Sequence, residues 1–180
     1  MTPTPQSIIT TLTTVSSLRR ELKDKGEKAF REAHDCPALL LTSFPQLDED
    51  LVEVHTLEDS QPDTRLKKKK NVGRDFLVLL AKTERNVFDS RITIGRAKNN
   101  DVVLRVRKIS KLHASLALDR DGNASVTDMG SRNGTAVNGT WLDRRSPTAL
   151  KSGDLLNLWR FEFQYLDREG LVNLVRSSAG

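Results

Sequence analysis

A single cysteine, Cys36, stands in this 180-residue sequence. One thiol excludes an internal disulfide and any cysteine-rich zinc site, and it fits a reducing compartment. No run of eighteen apolar residues occurs, so no helical membrane span is expected. The opening residues, Met1-Thr2-Pro3-Thr4, lack the basic and apolar segments of a secretory signal. A soluble protein of the cytoplasm is the expectation. Catalytic signatures are missing too: there is no P-loop, no metal-ligand cluster and no carboxylate pair in a recognisable motif. Neither an enzymatic activity nor a cofactor or metal is expected, and no internal repeat is visible.

What is present suits a binding protein. Hydrophobic residues make up 37% of the chain and charged residues 29%, enough for one good core and an appendage. The net charge of +5 and pI of about 9.5 favour acidic or phosphorylated partners.

The chain divides by pattern. Leu18, Leu22, Ala29, Phe30 and Ala33 recur at helical spacing, with Ser16 or Ser17 as the expected cap and Gly26 weakening the middle. Ala38-Leu39-Leu40-Leu41 reads as a short strand. Residues 1–44 are therefore expected to be a helical extension. From residue 45 to 73 an acidic stretch gives way to the run Lys67 to Lys70, which reads as a linker or loosely packed arm. Alternation of period two begins near Arg74: Phe76 to Leu80, Ile92 and Ile94, Val102 to Leu104, Leu116 and Leu118, Val126, then Phe161, Phe163 and Tyr165. Turn signals at Asp121-Gly122-Asn123, Asn133-Gly134, Asn138-Gly139 and Ser152-Gly153-Asp154 separate these runs. A mainly β fold, a sandwich of short strands, is expected over 74–168, with a C-terminal tail at 169–180. A lone cysteine speaks against an immunoglobulin domain.

Three clusters between the strands carry chemistry. Between Arg91 and Lys111 there are seven Lys or Arg residues and one acid, Asp101. Gly95 permits a tight turn, and Arg96 beside it carries a planar guanidinium that grips two oxygens of a phosphate. Ser110 offers a hydroxyl, and Lys111 adds a point charge. His113, three residues on, suggests a serine–histidine hydrolase, but the Gly-x-Ser-x-Gly elbow is absent. An internal brace is the better reading of His113. Asn133-Gly134 suits a hairpin turn, or an amide matched to an extended peptide backbone.

In order and spacing, Ile94-Gly95-Arg96-x-x-x-Asn100-Asp101-Val102-Val103-Leu104, Ser110-x-x-His113-Ala114, Asp128-x-Gly130-Ser131-x-Asn133-Gly134-Thr135-x-Val137-Asn138-Gly139 and Gly153-Asp154 resemble a forkhead-associated (FHA) domain. The resemblance covers roughly 74–168. It implies an eleven-stranded β-sandwich that binds phosphothreonine peptides through loops at one end. It also implies Arg96 and Ser110 as phosphate ligands, Lys111 as an auxiliary cation, Arg132 at a variable neighbouring position, and Asn133 as the holder of the peptide main chain. Gly95, His113 and Gly134 become supports of the site. The loop Arg105-Val106-Arg107-Lys108 is more basic than is usual for the family.

The expected function is a phosphothreonine-dependent signalling adaptor downstream of Ser/Thr kinases. Two alternatives stay open: phosphate-independent scaffolding, and binding of nucleic acid or another anionic surface through Lys67 to Lys70. A solvated linker is the commoner meaning of such a lysine run, which makes nucleic acid the weaker partner. The protein's own N-terminal segment, phosphorylated at Thr10, Thr11, Thr13 or Thr14, is a further possible partner, as are Thr56 and Thr64.

Overall fold

Two apolar runs of the sequence, Ala38–Leu41 and Phe76–Leu80, are buried on both sides, and this sets the architecture. The computed structural model describes residues 5–45, 75–88 and 90–177. A helical turn α1 (Pro5–Ile8) leads to β1 (Leu12–Thr14), α2 (Val15–Ala33) and β2 (Ala38–Ser43). After residue 74 come β3 (Phe76–Leu79), β4 (Ile92–Gly95), β5 (Val102–Val103), β6 (Ala114–Leu118), β7 (Ala124–Asp128) and β8 (Thr135–Val137). Then follow β9 (Thr140–Trp141), β10 (Pro147–Leu150), β11 (Leu155–Leu158), β12 (Phe161–Leu166) and α3 (Arg168–Ser177). The expected linker, with Lys67 to Lys70, Thr56 and Thr64, lies outside the described residues, apart from Pro45.

The strands form two sheets. The larger has the order β1-β3-β2-β12-β11-β8-β9 and the smaller β10-β7-β6-β4-β5. Alternation decides what each side chain meets. Leu39, Leu41, Phe76, Val78, Phe161, Phe163 and Tyr165 of the large sheet pack against Ile94, Leu116, Val126 and Leu150 of the small one. The opposite faces of β2 and β3 present Ala38, Leu40 and Leu77 to a second cluster, with Val15, Leu18 and Phe30 of α2 and Leu171, Val172 and Val175 of α3. Three layers result: a helical pair, the large sheet and the small sheet. A strand buried on both faces needs an unbroken apolar run, which is what β2 and β3 have. Among the described residues no helix is long and apolar enough to cross a membrane.

The β-sandwich expected from the sequence is present, with twelve strands among the described residues where eleven were expected. Its limits differ from those drawn at 44 and 74. β2, from the expected extension, lies between β3 and β12 and pairs with both. The expected tail is largely the helix α3, joined to α2 by Arg31, which bonds Glu169 through both guanidinium ends, and by Arg176 to Glu27. Pattern alone could not place β2 in the sheet, because its partners lie far along the chain.

The N-terminal segment, expected to be part of a helical extension, is built into the sandwich. Ile8 and Ile9 are buried in the central core. Arg105 N–H donates to Ile8 O at 2.9 Å, and Ile9 bridges to Leu104 beside β5. The same segment then pairs with β3 through β1, so it joins the edges of both sheets. The cap of α2 is Thr14 rather than Ser16 or Ser17: its Oγ1 accepts the Ser17 N–H at 3.0 Å. Asp75 holds Ser16 instead, through its N–H and hydroxyl. At Gly26 the backbone takes φ 78° and ψ 163°, which breaks α2 into two helical pieces.

Candidate functional site

Strand register brings the three sequence clusters to one end of the small sheet. β4 and β6 run antiparallel with Ile94 opposite Ala114, and β6 and β7 with Ala114 opposite Asp128. The turn after Gly95, the loop before Ala114 and the passage after Asp128 therefore leave from the same edge. That passage crosses from the small sheet to the large one, so Asn133-Gly134 is not a hairpin turn. Asn138-Gly139 is one: it joins β8 to β9 with φ of 50° and 79°.

Hydrogen bonds lace these loops together. Arg96 N–H donates to Ser110 O at 2.9 Å, Ala97 N–H to Lys111 O at 3.1 Å, and Arg96 Nε to Ile109 O at 3.1 Å. From the third loop, Arg132 N–H donates to Ser110 Oγ at 3.0 Å, and Asn133 Nδ2 to Lys108 O at 2.6 Å. Arg96, Ser110, Lys111, Arg132 and Asn133 thus share one surface, with Lys111 and Arg132 exposed. Of the basic loop, Val106 is buried in the core while Arg107 and Lys108 face solvent.

Gly95 is fixed by space. A Cβ there would overlap the Lys111 carbonyl and come within 3.0 Å of Asn100 Nδ2. That carbonyl accepts from Ala97 N–H and from Asn100 Nδ2, the latter at 2.7 Å, so it cannot retreat without loosening the turn.

His113 is fully buried. Its Nδ1 accepts the backbone N–H of Ser110 at 3.2 Å, and its Nε2 donates to Gly134 O at 3.0 Å. The ring therefore spans two loops. It engages the main chain of Ser110, not the hydroxyl, so it does not serve as a base for that serine. Burial pushes the imidazole pKa down; the bond to Gly134 and the charge of Asp128 oppose this only in part.

Two buried carboxylates, Asp128 and Asp101, hold the loops. Asp128 accepts the N–H groups of Gly130 and Ser131 on Oδ1, both at 2.8 Å. Its Oδ2 accepts the hydroxyls of Ser131 at 2.6 Å and Thr135 at 2.7 Å. Asp101 accepts the N–H groups of Thr93 and Thr83, the Thr83 hydroxyl and the Asn86 amide. Burial alone would raise both pKa values. The donors outweigh it and hold both carboxyls below the usual carboxylate value. The signal in the sequence was a carboxylate set among Ser, Thr and Gly, which a search for catalytic pairs passes over.

The site therefore presents a guanidinium, a hydroxyl and exposed cations on a rigid frame. Such donors and cations suit an oxyanion. Residues 92–158 match the family model described as the FHA domain. This stretch is an FHA domain. Among curated proteins, the oxoglutarate dehydrogenase inhibitor of Corynebacterium diphtheriae is 33% identical over 75 residues, 42% of this chain and 50% of that protein. The chain thus spans about half the length of that curated relative. Similar solved structures include Mycobacterium tuberculosis EmbR in complex with a low-affinity phosphopeptide. It is 31% identical with a TM-score of 0.39, over 43% of this chain and 20% of that one. They also include the N-terminal FHA domain of Rad53p from S. cerevisiae, in complex with a phosphothreonine peptide. It is 20% identical with a TM-score of 0.45, over 73% of this chain and 93% of that one.

Proposed function

We propose that this protein is a reader of phosphothreonine, acting as a signalling adaptor downstream of Ser/Thr kinases rather than as an enzyme. The contact of three FHA loops carries the reading: Arg96, Ser110 and Asn133 come from separate loops and are tied to one another through Ser110 and Lys108. Arg96 and Ser110 take the phosphate, Lys111 and Arg132 add positive charge at its margin, and Asn133 holds the peptide main chain. Gly95, His113 and Gly134 keep the loops in place. A phosphothreonine brings about −1.5 to −2 charges and three strong acceptors. Charge-assisted hydrogen bonds of roughly 1.5–3 kcal/mol each, less the cost of ordering an extended peptide, give a Kd on the order of a micromolar. The exposed Arg107 and Lys108 favour acidic residues near the phosphothreonine.

An external partner is favoured over the protein's own N-terminal segment. Thr13 and Thr14 lie in β1, paired with Leu77 and Phe76, and Thr14 caps α2. Their delivery to the site would strip this strand from the sheet and uncap the helix.

Calorimetry with matched phosphothreonine, phosphoserine and unphosphorylated peptides tests the reading. Binding of the phosphothreonine peptide alone, or most tightly, is expected, together with loss of a cellular partner after phosphatase treatment. Equal binding of the unphosphorylated peptide, or retention of the partner after phosphatase, would instead establish a phosphate-independent scaffold.

A further inference from the structure

The end of the sandwich opposite the loop cluster carries a cleft of its own. β6 leaves the loops at Ala114 and ends at Leu118, and β7 starts back at Ala124. The turn between them, Pro37 before β2 and the junction of β12 with α3 at Asp167 enclose about 350 Å³. That is the size of a small-ligand cleft.

Two observations set this cleft apart. The first is Tyr165, which lines it although only 1% of the residue is exposed. Among the described residues nothing bonds its hydroxyl. A buried tyrosine hydroxyl ordinarily has a partner. Burial, and then the charge of Asp167, push its pKa up to about 12, so the hydroxyl keeps its proton at neutral pH.

The second is charge. The chain carries a net +5, yet four carboxylates line this cleft against two arginines. Several of these groups are already engaged. Asp119 accepts the N–H groups of Asp121 and Asn123 and the Asn123 amide. Arg168 pairs with Asp35 at 3.0 Å, and Glu169 with Arg31. Asp167 caps α3 with Oδ1 alone, which accepts the Gly170 N–H and the Ser152 hydroxyl. That cap, with Glu169 in the first turn, answers the positive end of α3. Asp167 Oδ2, the Asp121 carboxylate and the Tyr165 oxygen accept nothing from the described residues. The remaining cation, Arg120, is exposed on the β6–β7 turn.

We propose that this cleft is a second docking site, which takes an arginine side chain from a partner protein. Chemistry selects the occupant. A guanidinium brings N–H donors in a planar fork and no acceptor, the complement of a cleft with unfilled acceptors. It is more weakly hydrated than an ammonium, which suits a floor made by a buried ring. Its methylene stem has Pro37 and Leu118 to lie on. The site needs no phosphate, so it stands apart from the phosphothreonine reading. With that reading, one sandwich joins two chains through opposite ends.

The chain has one tyrosine, so selective ring labelling gives a single NMR signal from the floor of the cleft. The full chain is titrated with N-acetyl-arginine amide, and with the lysine and glutamate amides, following the Tyr165 ring and the Gly122 N–H. The arginine probe should shift both signals saturably, with a Kd on the order of a millimolar. The lysine probe should bind several-fold more weakly, and the glutamate probe should leave both signals in place. Asp121→Asn, and Tyr165→Phe read at Gly122, should each weaken the arginine probe by about three- to tenfold. Neither variant removes a bond within the fold, so Tyr165→Phe should leave the urea midpoint unchanged or raise it. A phosphothreonine peptide that binds the protein should leave the arginine titration unchanged. Absence of a saturable shift, equal shifts from the lysine or glutamate probe, or an affinity that neither variant lowers overturns the site. Displacement of the arginine probe by the phosphothreonine peptide places the probe at the loop cluster and overturns it too. A urea midpoint lowered by Tyr165→Phe gives the hydroxyl a partner within the fold, which removes the acceptor the site depends on.

Discussion

The Arg132 N–H donates to Ser110 Oγ at 3.0 Å, a direct tie between two loops that leave different strands. A hydroxyl has two acceptor lone pairs and one proton. With a lone pair turned toward Arg132, the proton is available to an anion in front of the loops.

Ser110→Ala removes that donor and the tie together. Phosphopeptide affinity should fall by roughly ten- to a hundredfold, as expected for a lost hydrogen bond to a charged group. Folding stability should change by less than about 1 kcal/mol, because Ser110 is only half-buried. Calorimetry and urea denaturation on the same preparation check both figures.

Arg96 acts in two ways. Its Nε braces Ile109 O at 3.1 Å, and the proposed reading gives its guanidinium the phosphate as well. Arg96→Ala should weaken binding by about 2–4 kcal/mol, roughly thirty- to a thousandfold. Arg96→Lys should restore little of it, because an ammonium lacks the planar fork that reaches the carbonyl and the ligand together. A loss below threefold for alanine would remove Arg96 from the site.

Asp128→Asn should destabilise the fold by about 3 kcal/mol. The carboxylate accepts four donors, and an amide must turn its NH₂ toward some of them. A lower urea midpoint is expected, with weaker phosphopeptide binding because the Arg132-Asn133 loop loses its anchor. An unchanged midpoint would show that the carboxylate charge is not needed.

The pH dependence has a definite sign. The folded-state pKa of His113 lies below its usual value near 6.5 because the ring is buried. The unfolded chain takes up the proton first, so stability falls as pH drops through about 6.5 toward the lower folded pKa. The depressed carboxyls of Asp101 and Asp128 add a second loss below about pH 4. Phosphopeptide binding should weaken below about pH 6 as well, where the phosphate takes its second proton. Urea midpoints between pH 7.5 and 5.5, with NMR titration of the His113 ring, separate the protein's contribution from the ligand's. A flat midpoint and an ordinary His113 pKa would contradict it.

The sandwich was legible because its strands alternate. Phe161, Phe163 and Tyr165 announced β12, and Asn138-Gly139 announced its hairpin. Arg96, Ser110 and Asn133 could be singled out because their residue types and spacing are those of a known family. What local pattern could not carry was pairing at a distance. Nothing near Ala38–Ser43 says that it sits beside Phe161–Leu166, and nothing near Ile8 says that it meets Arg105. Asp101 and Asp128 stayed obscure for a related reason: a buried carboxylate is explained by donors that only the fold assembles. Thr14 outranked Ser16 as a cap because Asp75, remote in sequence, takes Ser16.

The placement of β2 also orders events on the ribosome. Thr42 contacts Glu162 across 120 positions of chain, so this strand emerges long before its neighbour β12 has been translated. Until then it can pair only with β3, and its other backbone edge must wait in water or against a chaperone. Contacts of such long range are slow to form. The last strand made therefore completes the sheet, and a nascent chain halted before Phe161 would keep an unmatched, aggregation-prone border.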